Sequence, residues 1–246
     1  MSENKRVITL GNKKYLVIEL TQPLKEDVEV YPGDPKPEKI VFSDISNTGF
    51  QHHIYKLGDH NFQPHADAPK HQNKDLQDKG IEIFGLDFCF NKALLIDISQ
   101  SEEAIDFDGI KYLVKVGRHH LEPYDKIISQ KGAIIIRTGY DQWLELNKKH
   151  TPKNIPHLDK DAAEYIADFK NIKVVGFDSI TIDACGKDTP FHIAHQALKD
   201  KLIVESLVHL YEIPLNSREN FDLQISPLRI VGATGSPVIA YAFIEL

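Results

Sequence analysis

Cysteine is nearly absent from this 246-residue chain, which carries only Cys89 and Cys185, far apart and in no Cys-x-x-Cys pair. That spacing argues against a zinc ribbon and a dithiol redox motif. Cys89 lies in the apolar run Leu86-Asp87-Phe88-Cys89-Phe90 and is expected to be a buried free thiol. Long hydrophobic runs are also missing. None approaches the roughly 20 residues needed to span a bilayer, and residues 1–10 do not have the pattern of a signal peptide. The expectation is a cytoplasmic protein with no membrane partner. There is no basic excess either: 29 Lys and Arg face 36 Asp and Glu, for a formal net charge of −7. Such a balance argues against a nucleic-acid partner. It also gives no long-range pull on an anionic substrate, so any such attraction must come from local cations. No repeat, low-complexity block or Pro/Gly-rich linker interrupts the chain. With 41% hydrophobic and 26% charged residues, it has the composition of a packed globular protein, and residues 1–246 are expected to form a single domain.

What is present is a series of short apolar runs. Ala93 to Ile98 and Ala133 to Thr138 are rich in branched side chains, as strands buried on both faces require. Tyr15 to Leu20, Phe50 to Leu57, Ile172 to Gly176, Lys201 to Leu210, Gln224 to Val231 and Val238 to Ile244 also read as strands. Pro32-Gly33-Asp34-Pro35 is a turn signal. Asp159 to Phe169 places Ala162, Ala163, Ile166 and Phe169 at helical spacing behind an acidic first turn. Strands that outnumber interleaved helices predict a mixed α/β domain with a substantial, partly antiparallel sheet.

The densest chemistry lies in residues 59–71, Asp-His-Asn-Phe-Gln-Pro-His-Ala-Asp-Ala-Pro-Lys-His, with three His and two Asp in thirteen residues. His65 and Asp67 are two apart, so in an extended stretch both side chains leave one face. Imidazole and carboxylate together suit zinc, manganese or iron. Pro64 and Pro69 restrict the backbone on either side. His71 stands close enough to reach a water at such a site without itself being a ligand. Glu205 sits inside the apolar run Leu202 to Val208, where an unpaired carboxylate is costly to bury; it either faces an edge or points inward as a ligand. Arg137 ends a strand and either pairs with an acidic neighbour or contacts substrate. Asp178 is expected to be structural, and His52, His53, His119, His120, His150, His157 and His209 to be structural or solvent-facing. Ser179 and Ser206 lack a Gly-x-Ser-x-Gly context, so a serine hydrolase is not expected.

The segment resembles the signature of the cyclase-like, or kynurenine formamidase-like, metal-dependent hydrolases, H-x-G-T-H-x-D-x-P-x-H. His65-Ala66-Asp67-Ala68-Pro69-Lys70-His71 matches its second half at every specified position. In the first half, Asn61 stands where the family has its leading His, His60 lies one place earlier, and Gln63-Pro64 replaces Gly-Thr. The resemblance continues through Ile96-Asp97-Ile98-Ser99, Arg137-Thr138-Gly139-Tyr140, Val175-Gly176-Phe177-Asp178-Ser179, His195-Gln196-Ala197-Leu198 and Val204-Glu205-Ser206-Leu207, and covers nearly the whole chain.

That resemblance implies a swivelling β/β/α layered domain, assembled as a homodimer or homotetramer. It implies a divalent metal, zinc or manganese, held by His65, Asp67, His195 and Glu205, with His192 as the alternative to His195. His60 or Asn61 would stand in for the leading His, or the site would hold one ion instead of two. His71 would be the acid/base residue. The implied reaction is carbon–nitrogen hydrolysis of a small molecule by metal-activated water. The substrate would be an N-formyl aryl amide, of which N-formylkynurenine is the family's best-known example, or a cyclic amide of the isatin type. A lactone-directed hydrolase or cyclase, and a non-catalytic small-molecule binder with a degraded metal site, are the alternatives.

Overall fold

The computed structural model describes residues 4–60, 64–150, 155–185 and 192–246. Nine strands build the main sheet. In chain order they are β1 (Lys5–Leu10), β2 (Lys13–Glu19), β3 (His65–Asp67), β4 (Phe90–Asp97), β5 (Ala133–Arg137), β6 (Val174–Phe177), β7 (Leu202–Glu205), β8 (Phe221–Pro227) and β9 (Gly235–Glu245). Their spatial order is β1-β2-β9-β8-β4-β5-β6-β7-β3. The central pairs β4–β5, β5–β6 and β6–β7 are parallel and the remaining pairs antiparallel, the mixed sheet expected from the sequence. The sheet then closes on itself. The long strand β9 holds β3 through Gly235–Pro237 before it runs along β8 and β2.

Alternation along the strands divides the core into two. Ala93 and Leu95 of β4, with Ala133 and Ile135 of β5, face inward between the two walls of the closed sheet and meet Phe221, Leu223, Ala240 and Ala242. Leu94, Ile96, Ile134 and Ile136 face outward and pack under two helices. These helices are Lys160–Asp168 and Ile193–Leu198, and they contribute Ala162, Ala163, Ile166, Ala194 and Leu198 to that layer. Side chains alternate with a period of two, so one strand serves both cores only if it is apolar throughout. The result is sheet on sheet on helix, the β/β/α layering the resemblance implied.

Several boundaries differ from the sequence reading. The strand expected over Lys201–Leu210 ends at Glu205, because Ser206 adopts a left-handed backbone with φ of 62° that breaks an extended ladder. The strand expected over Gln224–Val231 begins earlier and stops at Pro227, leaving Leu228 and Val231 on the surface. The strand expected over residues 50–57 is His52–Lys56, and it pairs with Glu38–Ser43 in a separate two-stranded ribbon. Cys89 closes a short helix, Leu86–Cys89, and is half-buried, not sealed in the core.

A smaller aromatic cluster of Tyr112, Tyr140 and Trp143 flanks the sheet. Tyr140 Oη shares a 2.9 Å hydrogen bond with Nδ1 of buried His150. Burial pushes His150 down to about 4, with Glu29 opposing the shift. An imidazole held neutral by folding contributes stability that is fully present above its unfolded pKa, near 6.5. That contribution is lost as pH falls through the folded value, about 3 kcal/mol between pH 7 and pH 4. His150→Gln should flatten the pH dependence of the denaturation midpoint by that amount relative to wild type. Parallel curves for the two proteins would refute the assignment.

Candidate metal centre

β3 lies between β7 and β9, with His65 opposite Glu205 on one side and Pro237 on the other. Its three-residue length suffices because His65 and Asp67 alternate with Ala66, which faces the inner core. His65 Nε2 lies 3.3 Å from Glu205 Oε2 and 3.5 Å from Asp67 Oδ1. His195, from the helix over the sheet, places Nε2 3.0 Å from Asp67 Oδ2 and 3.5 Å from Glu205 Oε1. From the other side, His60 Nδ1 reaches Asp67 Oδ1 at 2.6 Å. Thus His60, His65 and Asp67 form one donor triad, and Asp67, His195 and Glu205 a second, each with ligand atoms within 4.8 Å of one another. Asp67 belongs to both. Gly235 makes the approach possible, since a Cβ there would sit 2.6 Å from His60 Cε1 and 2.8 Å from the Ala66 carbonyl.

Hydrogen bonds around the triads set the imidazole tautomers. Thr234 Oγ1 donates to Asp59 Oδ2 at 2.6 Å, so it accepts from His60 Nε2 at 2.8 Å. A neutral imidazole carries one proton, so His60 Nδ1 presents a lone pair to the Asp67 carboxylate. His195 repeats the arrangement. Its Nδ1 donates to Asp183 Oδ2, and Asp183 Oδ1 is held by the Ala194 N–H at 2.6 Å. His195 Nε2 therefore turns its lone pair toward Asp67 and Glu205. Acceptor faces acceptor unless a cation lies between. Without one, a proton must serve: burial opposes it, yet the bonds to Asp183 and Asp67 hold His195 well above the usual imidazole range. Burial raises Asp67, but the charge of His65 and the hydrogen bond to His195 outweigh it, and the carboxyl lies well below the usual range. Glu205, pushed up by burial and by Asp67, is anchored by the Ile182 N–H at 2.6 Å. The donor set therefore fits a divalent cation.

These groups floor a cavity of about 330 Å³, lined also by His71, His192, Gln72, Ile180, Thr181, Tyr31 and Asp34. His71, on the short helix Pro69–Gln72, lays its ring 3.7 Å from that of His60 and 5.7 Å from that of His195, centroid to centroid. Burial and the charges of His60 and His195 push it down to about 3, against the pull of Asp67. Of the sequence-predicted residues, His60, His65, Asp67, His71, His195 and Glu205 converge. His192 also lines the cavity, but its Nδ1 faces Asp183 at 3.4 Å and it belongs to neither Asp67 triad. Asn61 lies outside the described residues.

Arg137 and Asp178 do not line this cavity. Arg137 pairs with Asp97 at 3.0 Å and Asp141 at 2.9 Å. Asp178 accepts from the backbone N–H groups of Thr138, Gly139 and Tyr140, ahead of the helix Asp141–Glu145. Glu103, His119 and His120 also gather at the surface. There, His120 Nδ1 accepts the Gly117 N–H, which leaves the proton on Nε2 and no lone pair facing Glu103. Sequence reasoning missed Asp59, Thr234 and Asp183, which act through other residues. It also missed Tyr31 and Asp34 as walls, although their turn was legible.

The profile of the family described as "Putative cyclase" matches residues 18–184. A kynurenine formamidase of Bacillus anthracis is 26% identical over 226 residues, covering 91% of this chain and 95% of that protein. Cyclase-like protein 2 of Arabidopsis thaliana is 27% identical over 177 residues, covering 71% of this chain and 58% of that one. Among solved structures, an isatin hydrolase bound to the product analogue thioisatinate superposes with a TM-score of 0.75, at 23% identity and 94% and 92% coverage. Isatin hydrolase A from Labrenzia aggregata gives a TM-score of 0.74 at 18% identity, covering 94% of each chain.

Proposed function

This chain belongs to the cyclase family, and from that premise we propose that it is a single-domain, metal-dependent hydrolase of carbon–nitrogen bonds in small amides. N-formyl aryl amides and cyclic amides are the substrate classes. The observation that carries this reading is the convergence of ring nitrogens of His60, His65 and His195 on the Asp67 and Glu205 carboxylates at 2.6–3.5 Å, two donor triads that share Asp67. His60, His65, Asp67, His195 and Glu205 would hold the ion, and three imidazoles with two carboxylates suit zinc or manganese. A divalent cation bound there supplies Lewis acidity, lowering the pKa of water towards about 7 and polarising a carbonyl.

The protein's own groups do the rest. Asp183 fixes the His195 tautomer, and the Asp59–Thr234 pair fixes that of His60, so neither ring must reorient during turnover. Buried walls at His65, Asp67 and Glu205 exclude bulk water and sharpen every charge interaction. His71, held neutral by its surroundings, accepts a proton at a ring nitrogen from the attacking water. The ring then returns that proton to the departing nitrogen. His60 is the reading favoured for the leading His of the family motif, since its Nδ1 already faces Asp67.

The wider setting follows the same reading. Among the described residues no helix is long and apolar enough to cross a membrane, and we place the protein in the cytoplasm. Val41, Phe42, Ile54 and Tyr55 on the outlying ribbon are 43–63% exposed, an apolar surface suited to a homodimer or homotetramer. The test is elemental analysis of protein purified without chelator, together with turnover of a panel of formanilides, lactams and lactones. Bound zinc or manganese, and amide hydrolysis that chelation abolishes and metal restores, are expected. A metal-free protein that binds these amides without cleaving them would instead establish a non-catalytic binder.

A further inference from the structure

The segment Ser179-Ile180-Thr181-Ile182-Asp183 follows β6 and braces two residues of the donor triads. Ile182 donates its N–H to Glu205 Oε1 at 2.6 Å, and the Asp183 carboxylate fixes His195. The segment is itself tied down: the Ser179 carbonyl accepts the Ser206 N–H at 2.7 Å, and the Ile182 carbonyl accepts the Leu158 N–H at 2.9 Å. Between these ties stands Thr181, 8% exposed and part of the cavity wall. The chemistry proposed above gives it no task.

Thr181 Oγ1 accepts the Asp183 N–H at 3.1 Å. A hydroxyl offers one hydrogen as well as two lone pairs, and among the described residues that hydrogen has no acceptor. The bond from Asp183, added to the stiffness of a β-branched side chain, fixes the oxygen in place. No Lys or Arg stands among the described residues that line the cavity, so a charge that develops there must be met by neutral donors. Tyr31 is engaged by Cys185. Gln72 is only half-buried, and its long side chain would first have to be ordered. Thr181 alone combines burial, a fixed oxygen and an uncommitted hydrogen. When water adds to an amide carbonyl, negative charge moves onto the acyl oxygen, and a donor set in place beforehand lowers that barrier.

We propose that Thr181 is a catalytic residue that donates a hydrogen bond to the substrate's acyl oxygen as the tetrahedral oxyanion forms. The hydrogen stays on Oγ1 throughout, while His71 moves the protons. The inference rests on the amide-hydrolase reading for the reaction, but not for the presence of an oxyanion donor on this wall.

Thr181→Val keeps the shape and removes the hydroxyl, Thr181→Ala does so without the branch, and Thr181→Ser retains it. In metal-loaded protein, the Val and Ala variants should lower kcat for a formanilide by about 10²-fold, the usual effect of losing one such donor. Thr181→Ser should recover most of that loss. Chelator competition should give wild-type metal affinity in all three, as it must if Asp183 and His195 keep their places. A second measurement needs no turnover. The phenyl monoester of methylphosphonic acid carries a tetrahedral oxyanion, whereas phenylurea is planar and neutral; by calorimetry, Thr181→Val should weaken binding of the first and leave the second unchanged. If wild type cleaves no amide, yet Thr181→Val selectively loses the phosphonate, the oxyanion donor stands and the hydrolase reading fails. If hydrolysis proceeds and Thr181→Val matches wild type, or if it loses metal, phosphonate and phenylurea alike, the hydroxyl serves only structure and the proposal is overturned.

Discussion

Replacing Asp67 with Asn should strip the protein of its metal and take hydrolysis down to background. Asp67 is the residue shared by both donor triads, and its two carboxylate oxygens face three imidazoles, at 2.6, 3.0 and 3.5 Å. The amide keeps the volume but removes the negative charge and offers one oxygen in place of two. Partners that merely orient a metal ligand cost 10–100-fold when removed, so loss of a shared ligand should exceed roughly 10²-fold in metal affinity. Competition with a chromophoric chelator measures this without any assay of turnover. Stability should respond in a way that a simple folding defect does not. The wild-type protein should be destabilised by chelation, because a 2% exposed carboxylate beside Glu205 is left without its counter-charge. Asp67→Asn should be indifferent to chelator. An Asp67→Asn protein that retains stoichiometric metal at wild-type affinity would remove Asp67 from the site.

That prediction begins from a motif legible in the sequence, whereas much of what supports the motif was not. His65 and Asp67 could be paired because two-residue spacing in an extended segment puts side chains on one face. Ala133 to Thr138 could be read as a buried strand because every position is apolar up to Arg137, and the strand formed is Ala133–Arg137. The closure of the sheet by β3 was not legible. Its three residues pair with β7 and β9, more than 130 positions away, and no local pattern encodes so distant a register. The same distance hid Thr234, which orients His60 from across the molecule.

Other misses have local causes. Strand β1 was overlooked because no position from Lys5 to Leu10 is buried and most are exposed, so no sharp apolar face marks it. The strand expected through Leu210 was too long because the apolar run continues past Glu205, while the backbone turns left-handed at Ser206. Hydropathy reports burial, and Leu207 and Val208 are indeed buried, but outside the sheet. Glu205 itself resolves toward the inward alternative, with 2% exposure and both oxygens engaged. Asp183 carried one signal that could have been followed: an acidic residue twelve positions before His195, in a segment otherwise rich in apolar and small residues. Asp34 carried another, since Pro-Gly-Asp-Pro predicts a turn, and a turn with one ionisable side chain is a natural cavity wall.

Replacing His71 with Ala should separate chemistry from metal binding, the reverse of the Asp67 result. His71 touches the site through its ring, tilted by 32° against that of His60 with centroids 3.7 Å apart, and belongs to none of the donor clusters. Metal content should therefore stay stoichiometric, and chelator competition should show a far smaller change than Asp67→Asn produces. Turnover should fall by about 10²–10⁴-fold, the usual contribution of a positioned proton shuttle. The loss should appear mainly in kcat, since the water and the departing nitrogen need His71 only as charge develops between them. His71→Gln offers a sharper version, because it preserves polarity and approximate reach while removing the ability to take up a proton near neutral pH. If His71 only filled space, Gln would restore activity. If it carries the proton, Gln and Ala should be equally impaired, and amides with better leaving groups should lose less than poor ones, since their nitrogen departs with less need of protonation. Full metal-dependent turnover in His71→Ala would assign the proton transfer to another group, for which His192, its ring centroid 5.8 Å from that of His71, is the next candidate.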